Sequence, residues 1–153
     1  MTGQSRSFPQ RNGEVKMYSL PPGDKKRIRT RLAAMLKKRQ EIVFAYLHGS
    51  FVEGDFRDID VAMYLEKEVG KRECLRYELG LERVAEEALG YPVDVRVVNH
   101  APLPFRFQVV QKGHLLFSRD DDVRCSFESR TLVEHHDFEF HHRNYRREIL
   151  GTV

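Results

Sequence analysis

The sequence has no tryptophan, only two cysteines and no long uninterrupted run of apolar residues. Cys74 and Cys125 are too few for a disulfide framework, and their spacing is not that of a metal site. Both lie in stretches with a helical pattern, so we expect buried or half-buried thiols. No apolar stretch is long enough to cross a bilayer, and residues 1–15 lack the apolar segment of a signal peptide. We therefore expect the chain to act in the reducing cytoplasm, away from membranes.

A strong charge of one sign is also missing. The 153 residues carry a formal net charge of +3, with 41% hydrophobic and 32% charged residues, which is typical of a soluble globular protein. This mild charge suits an anionic ligand such as a nucleoside triphosphate, but it does not indicate direct nucleic-acid binding. We expect a flexible tail over residues 1–16 and a single domain over residues 17–153.

The hydrophobic pattern predicts an alternation of helices and strands. Helices are predicted over residues 25–40, 70–89, 104–111 and 120–150, and strands over 42–47, 58–65, 93–98 and 114–117. Asp24 is expected to cap the first helix. The basic face of that helix, with Lys25, Arg29 and Lys37, is predicted to be solvated. The continuous apolar run Ile42–Leu47 predicts a strand buried on both faces. This order of elements predicts an α/β or α+β domain with a long C-terminal helix.

The clearest chemical pattern follows this buried strand. The strand runs into His48, Gly49 and Ser50, and the Gly-Ser turn offers backbone N–H groups and a hydroxyl to phosphate oxygens. Gly49 also permits close approach of a phosphate, because it has no Cβ. Asp58 and Asp60 lie two residues apart on the next predicted strand. Both side chains therefore project from one face, where they can hold a divalent cation.

A third carboxylate, Asp94, lies on another predicted strand with the same alternation. If the two strands are neighbours, Asp94 joins Asp58 and Asp60. Three carboxylates this close repel one another unless a cation relieves the repulsion. Taken singly, a Gly-Ser pair is commonly an ordinary turn, and an Asp-Ile-Asp segment is commonly a solvated pair. Their combination, in this order and between buried strands, indicates a metal and phosphate site.

This combination resembles the signature of the DNA polymerase β-type nucleotidyltransferases. The segments His48–Gly54, Arg57–Ala62 and Val93–Val95 carry the resemblance, which runs from about residue 28 to residue 150. Within that superfamily the chain is similar to the minimal nucleotidyltransferases (MNT), the antitoxins of HEPN/MNT toxin–antitoxin pairs. The resemblance implies the polymerase β-like palm fold, a small mixed sheet flanked by helices. In one departure from the family pattern, only seven residues separate Ser50 from Asp58, which indicates a shortened loop.

The resemblance also implies a function for each residue of the pattern. Gly49 and Ser50 would bind the triphosphate of ATP. Asp58 and Asp60 would hold Mg²⁺, and Asp94 would be a second metal's ligand or the base that activates an acceptor hydroxyl. AMP would pass from ATP to a tyrosine of a HEPN toxin, with release of pyrophosphate. Two alternatives remain: an inactive antitoxin that acts by binding alone, and a transferase with a small-molecule acceptor, for which 153 residues leave little room.

The predicted C-terminal helix carries two further sets of side chains. Its histidines are His135, His136, His141 and His142. No two of them have the i, i+4 spacing of a helical zinc site, which favours a solvent-facing or interface cluster. Its apolar residues include Phe127, Leu132, Val133, Phe138, Phe140 and Tyr145. Packing on the domain's own core is expected for most of them, and the rest would contact a toxin or a second copy of the chain.

Overall fold

The structure is a computed structural model that describes residues 16–150. Its elements are α1 (Pro22–Lys37), β1 (Ile42–His48), α2 (Ser50–Glu53), β2 (Ile59–Leu65), α3 (Lys71–Leu89), β3 (Val93–Val97), α4 (Leu103–Lys112), β4 (His114–Ser118) and α5 (Asp121–Leu150). Each predicted helix and strand is present, with ends within three residues of the predicted ones. The predicted flexible tail lies outside the described residues apart from Lys16. The single domain over residues 17–153 stays a prediction.

The four strands form one mixed sheet in the order β3-β2-β1-β4. β1 pairs antiparallel with β2 and β4, whereas β2 and β3 are parallel neighbours. The central strand β1 is buried from Ile42 to Leu47, as the continuous apolar run predicts. Because β1 runs opposite to β2 and β3, its C-terminal end meets the N-terminal ends of both at one end of the sheet. The predicted mixed sheet flanked by helices is confirmed.

Apolar side chains cover both faces of this sheet. One core cluster joins α1 and α3 to the sheet through residues such as Leu32, Leu81 and Ile59. The other joins α4 and α5 to the sheet through residues such as Val109 and Phe127. Helices on both faces remove the sheet from water, so the polar residues at the end of the strands are the ones left accessible for chemistry.

Two local predictions are wrong. α1 begins at Pro22, with Pro21 at the N-cap position, so Asp24 lies inside the first turn and does not cap the helix. Proline suits the first helical position because it has no N–H to leave unpaired and its φ is already helical. Cys125 is exposed and not buried, because it lies on the outer side of α5, whereas Cys74 is half-buried as expected.

Three glutamates of α3 close the outer edge of β3. Each glutamate accepts a hydrogen bond from one backbone N–H of the strand. The donor of Val97 bonds to Glu78 at 3.5 Å, that of Val95 to Glu82 at 2.9 Å and that of Val93 to Glu86 at 3.1 Å. Four helical residues advance by about 6 Å and two strand residues by about 6.6 Å, so the two spacings match. The outward-facing donors of this edge strand are therefore satisfied within the chain.

α5 is anchored through its first half only. Phe127 and Thr131 are buried, and Tyr46 of β1 donates a hydrogen bond to Glu128. From residue 136 to residue 150 every side chain is exposed. No helix within residues 16–150 is both long and apolar enough to cross a membrane.

The expectation that most apolar residues of α5 pack on the core is therefore wrong. Phe127 is buried, but the exposed residues are Leu132, Val133, Phe138, Phe140 and Tyr145. The reason is length. A helix of 30 residues spans about 45 Å, whereas the strands of five to seven residues that it crosses span roughly 17–23 Å. The second half of α5 extends beyond the sheet that could cover it.

Candidate active site

The three aspartates of the sequence pattern meet at one end of the sheet. Asp60 and Asp94 are register partners on the parallel strands β2 and β3, and Asp58 comes just before β2. One carboxylate oxygen of each residue lies within 4.8 Å of the other two. Among the described residues, no other group of three or more His, Cys, Asp or Glu side chains comes this close. The structure thus brings together all three carboxylates that the sequence singled out.

Asp60 is the electrostatic centre of the cluster. Its pKa is raised to about 7, first by burial and then by the negative charges of Asp58 and Asp94. A hydrogen bond with Asp58 adds to this effect, while the positive charge of Arg96 opposes it. A carboxyl group whose pKa is raised by burial and by neighbouring carboxylates ionises more readily when a cation binds beside it.

Gly49 lies against this carboxyl group. Its φ is +76°, a conformation that side chains with a Cβ rarely adopt. A Cβ at this position would also lie 2.2 Å from Oδ2 of Asp60, which is far inside van der Waals contact. Both the turn out of β1 and the space for the carboxylate therefore require glycine here. Ser50 follows as the first residue of α2 and is half-buried.

The shortened connection between Ser50 and Asp58 is a well-packed loop. Phe51 and Phe56 are fully buried, and their rings meet edge to face at 4.9 Å between centroids. The backbone of Tyr18 exchanges two hydrogen bonds with that of Phe56, at 2.7 and 3.0 Å. These contacts hold both ends of the loop, so the reduced length leaves the strand phase of the aspartates unchanged.

Lys25 is a residue of this site whose position the sequence did not reveal. It was expected on a solvated helix face, but its Nζ donates hydrogen bonds to the backbone oxygens of Phe51, at 2.7 Å, and Gly54. The ammonium group also lies over the rings of Phe51 and Phe56, at 5.1 and 5.6 Å. It thereby connects α1 to the loop that follows Gly49. Arg29 and Lys37 are exposed, as predicted.

Two more basic side chains lie beside the aspartates. Nε of Arg96 is 3.4 Å from Oδ1 of Asp94, and its charge offsets part of the repulsion among the carboxylates. His48, the register partner of Asp60 on β1, packs edge-on against the ring of Phe105 at 5.4 Å. Burial lowers the pKa of His48 in spite of the nearby carboxylates, so it is neutral at pH 7. Arg96 could have been recognised from the sequence, because it shares the strand phase of Asp94.

The carboxylate cluster fits a magnesium ion. Mg²⁺ binds oxygen ligands at about 2.1 Å, so ligands on opposite sides of the ion are roughly 4.2 Å apart. The oxygens of Asp58, Asp60 and Asp94 are separated by at most 4.8 Å, which small side-chain rotations reduce to that value. All three residues are half-buried, leaving one side open for a ligand. Among the described residues, these three carboxylates form the one group of three or more close metal-ligand side chains.

The family model described as "Polymerase beta, Nucleotidyltransferase" matches residues 30–122, more than half of the chain, and spans the whole carboxylate cluster. The chain belongs to this nucleotidyltransferase family. The matched segment begins inside α1 and ends at the start of α5. No protein of curated function shows a significant match to this nucleotidyltransferase.

Solved structures of similar fold come from toxin–antitoxin complexes. One is a chain from the complex of the MNT antitoxin with the tri-AMPylated HEPN toxin of Shewanella oneidensis, at 17% identity and a TM-score of 0.64, covering 82% of this chain and 98% of that one. A chain of the MntA–HepT complex has 17% identity, a TM-score of 0.62 and the same coverage. A chain from a toxin–antitoxin structure with AMP-PNP has 19% identity and a TM-score of 0.60, covering 80% and 98%. At these identities the likeness establishes the fold, and it confirms the palm fold implied by the sequence.

The histidines of α5 lie apart from any cluster of three metal ligands among residues 16–150. His135 stacks on Phe107 with 3.4 Å between ring centroids, and its Nε2 is 3.3 Å from Glu139. His136, His141 and His142 are exposed. This arrangement agrees with the solvent-facing or interface cluster favoured by their spacing.

Proposed function

We propose that this nucleotidyltransferase transfers AMP from ATP to a tyrosine hydroxyl of a HEPN-type toxin and so acts as its antitoxin. The observation that carries the proposal is the convergence of Asp58, Asp60 and Asp94 beside Gly49, in a chain whose family performs nucleotidyl transfer. The choice of acceptor is supported by the similar fold of an MNT antitoxin in complex with an AMPylated HEPN toxin. The cytoplasm, which supplies ATP and Mg²⁺, is the proposed compartment.

In the proposed site, Asp58 and Asp60 would hold Mg²⁺, and Asp94 would complete the site, either as a second metal's ligand or as the proton acceptor. Bound there, Mg²⁺ would neutralise the charge of the triphosphate and of the three carboxylates together. The Gly49–Ser50 turn offers backbone N–H groups and one hydroxyl to the phosphate oxygens.

The proposed transfer is an in-line displacement at the α-phosphorus of ATP. The tyrosine oxygen forms a bond to this phosphorus, while the bond from phosphorus to the oxygen bridging to the β-phosphate breaks. Pyrophosphate leaves with the electron pair of the broken bond, and AMP stays attached to the toxin. The tyrosine proton is accepted by a carboxylate of the cluster, and Asp94 is the proposed acceptor because its side chain is 37% accessible and so open to an incoming hydroxyl.

The loop after Gly49 has a positioning function in this proposal. Nucleotide transfer needs the phosphate-binding turn to be held in place before the substrate arrives, because ordering it during the reaction would cost free energy. The buried pair Phe51 and Phe56 and the hydrogen bonds from Lys25 supply this order.

The test is transfer of radioactive label from α-³²P-ATP. Purified protein is incubated with the nucleotide and Mg²⁺, with and without a HEPN protein from a neighbouring gene. We expect the HEPN partner to become labelled, and the label to be lost with the double variant Asp58→Asn, Asp60→Asn. A matched control is Asp137→Asn, which removes an exposed aspartate of α5 and should leave labelling unchanged.

The same variants separate catalysis from simple binding. If the double variant still neutralises the toxin in cells, and wild-type protein leaves the partner unlabelled, the chain is an antitoxin that acts by binding alone. The shortened Ser50–Asp58 loop is the departure from the family pattern that makes this second candidate worth testing. Retention of label on the partner with the double variant would overturn the role proposed for the carboxylates.

A further inference from the structure

From Thr131 onward, α5 carries a continuous side-chain seam with coiled-coil spacing. Its members alternate by four and three residues and are Thr131, His135, Phe138, His142, Tyr145 and Ile149. The seam starts in the core, where Thr131 is fully buried, and ends exposed, since Phe138, Tyr145 and Ile149 are 60–61% accessible. The side chains of this helix face repeat every seven residues, and the domain does not cover them at the exposed end. Such a face is suited to packing against another helix.

An apolar cleft lies beside this seam. The N-terminal end of α4 and the seam together enclose about 520 Å³, lined by Leu103, Pro104, Phe107, His135, Phe138 and His142, with a charged rim of Glu139, Arg143 and Arg146. The cleft floor is apolar and the rim carries both signs of charge. An occupant needs an apolar ridge flanked by charges that complement this rim.

The charges that flank the seam identify the occupant. On one side of the seam lie Glu139 and Arg146, and on the other side lie His141 and Glu148, all of them exposed. The two residues on each side are seven positions apart. On each side one is basic and the other is acidic. Such a helix complements itself when a second helix runs antiparallel, because the N-terminal member of each side then meets the C-terminal member.

We infer that α5 is a docking surface for a second copy of this chain, packed antiparallel along the seam. In this register Phe138 lies against Ile149 of the second copy, and His142 against Tyr145 of the second copy. The flanking contacts are Glu139 with Arg146 of the second copy and His141 with Glu148 of the second copy. Twofold symmetry repeats every contact, so a dimer has two Glu139–Arg146 pairs.

Other registers of the same two helices bring like charges together. A parallel pair would place Glu134 against Glu139 of the second copy. An antiparallel pair shifted by one heptad would place Glu139 of one copy next to Glu139 of the other. One antiparallel register alone makes all flanking contacts complementary, which gives the surface its specificity for this arrangement.

Sedimentation equilibrium of the full-length chain tests this inference by charge exchange. Wild-type protein is expected to show a monomer–dimer equilibrium. Glu139→Arg alone, and Arg146→Glu alone, should each weaken dimerisation by roughly tenfold, because two attractive pairs per dimer become repulsive. An equimolar mixture of the two single variants should recover dimers, since every facing pair is then oppositely charged. The double variant should also dimerise as the wild type does.

A matched control is Arg147→Glu, a charge reversal at an exposed position on the side of α5 opposite the seam. It should leave the dimerisation constant unchanged. Phe138→Ala, which shortens a seam residue that is exposed in the monomer, should weaken dimerisation while the melting temperature of the dilute protein stays the same. The inference is overturned if wild-type protein stays monomeric at all concentrations. It is equally overturned if dimers form but do not respond to the exchange, or if only a HEPN partner protein occupies the seam.

Discussion

Gly49 is the residue on which the turn from β1 into α2 and the carboxylate cluster depend together. Its left-handed φ lets β1 turn into α2, and its missing Cβ leaves room for the carboxylate of Asp60. These are separate requirements, one of backbone conformation and one of space. A residue that met only one of these requirements would still violate the other. Substitution at this position therefore affects both the conformation of the turn and the arrangement of the carboxylates.

Gly49→Ala is expected to reduce nucleotide transfer at least a hundredfold and to destabilise the protein by about 1–3 kcal/mol, the usual range for a strained backbone position. The added Cβ would displace the Asp60 carboxylate, which lies 2.2 Å from its position. Thermal denaturation and the labelling assay measure the two effects. Gly80→Ala is the control: this glycine lies in α3 with nothing within 4 Å of an added Cβ, so stability should rise slightly. If the two variants had the same stability and the same transfer rate, the close contact between residue 49 and the Asp60 carboxylate would be contradicted.

At the scale of elements, one side chain connects helix α1 to the loop of the site. Lys25 reaches across to two carbonyl oxygens at the C-terminal end of α2 and lies over two aromatic rings. Helix α2 has only four residues and ends in carbonyl groups without helical partners. The lysine satisfies these carbonyls and interacts favourably with the negative end of the helix.

Lys25→Met is expected to lower the free energy of unfolding by about 1–2 kcal/mol, because it keeps most of the apolar stem but removes the donor from the partly buried carbonyl of Phe51 and the exposed carbonyl of Gly54. It should also raise the KM for ATP more than it lowers kcat, since the loop that we propose binds phosphate becomes less ordered. Lys26→Met serves as the control, because Lys26 is exposed on the same helix. Unchanged stability and KM for the Lys25 variant would contradict the proposed connection.

The elements could be predicted from the sequence, and so could the proposed site residues, because both depend on local spacing. Alternation placed Asp58, Asp60 and Asp94 on accessible strand positions, and a buried run placed Gly49 at a strand end. The position of Lys25 could not be predicted, because a cationic side chain on a helix reads as solvated until the partner loop is known. Likewise, the sequence of α5 shows which of its side chains are apolar, but it does not show how much of the sheet is available to cover them.

At the scale of the whole molecule, the cluster of carboxylates lowers the stability of the fold. The folded state holds the proton of Asp60 more tightly than the unfolded chain does, since its pKa is raised to about 7 by burial and by its neighbours. The contribution of Asp60 to stability is therefore most favourable below about pH 4, its unfolded pKa. It is lost progressively as the pH rises to about 7, above which the group is ionised in both states.

Asp60→Asn is consequently expected to raise the free energy of unfolding at pH 8 by roughly 1–2 kcal/mol, after allowance for the solvent exposure of the group. The difference from wild type should shrink as the pH falls towards 4. Urea denaturation at several pH values measures this difference in the free energy of unfolding. Mg²⁺ should stabilise wild type above pH 7 and should have a much smaller effect on the variant, because a ligand is missing. A stability difference that does not vary with pH would contradict this account.

The three glutamates of α3 have a consequence for how this sheet can be extended. By occupying the N–H groups of β3, they act as a built-in substitute for a fifth strand, so an extended segment from another chain finds no donors there. The opposite edge is β4, where His114 and Leu115 are exposed. Further strands can therefore be added to the sheet at one edge only. A strand fused by an engineer, or gained by insertion during evolution, has to be placed beside β4, on the side away from the aspartates.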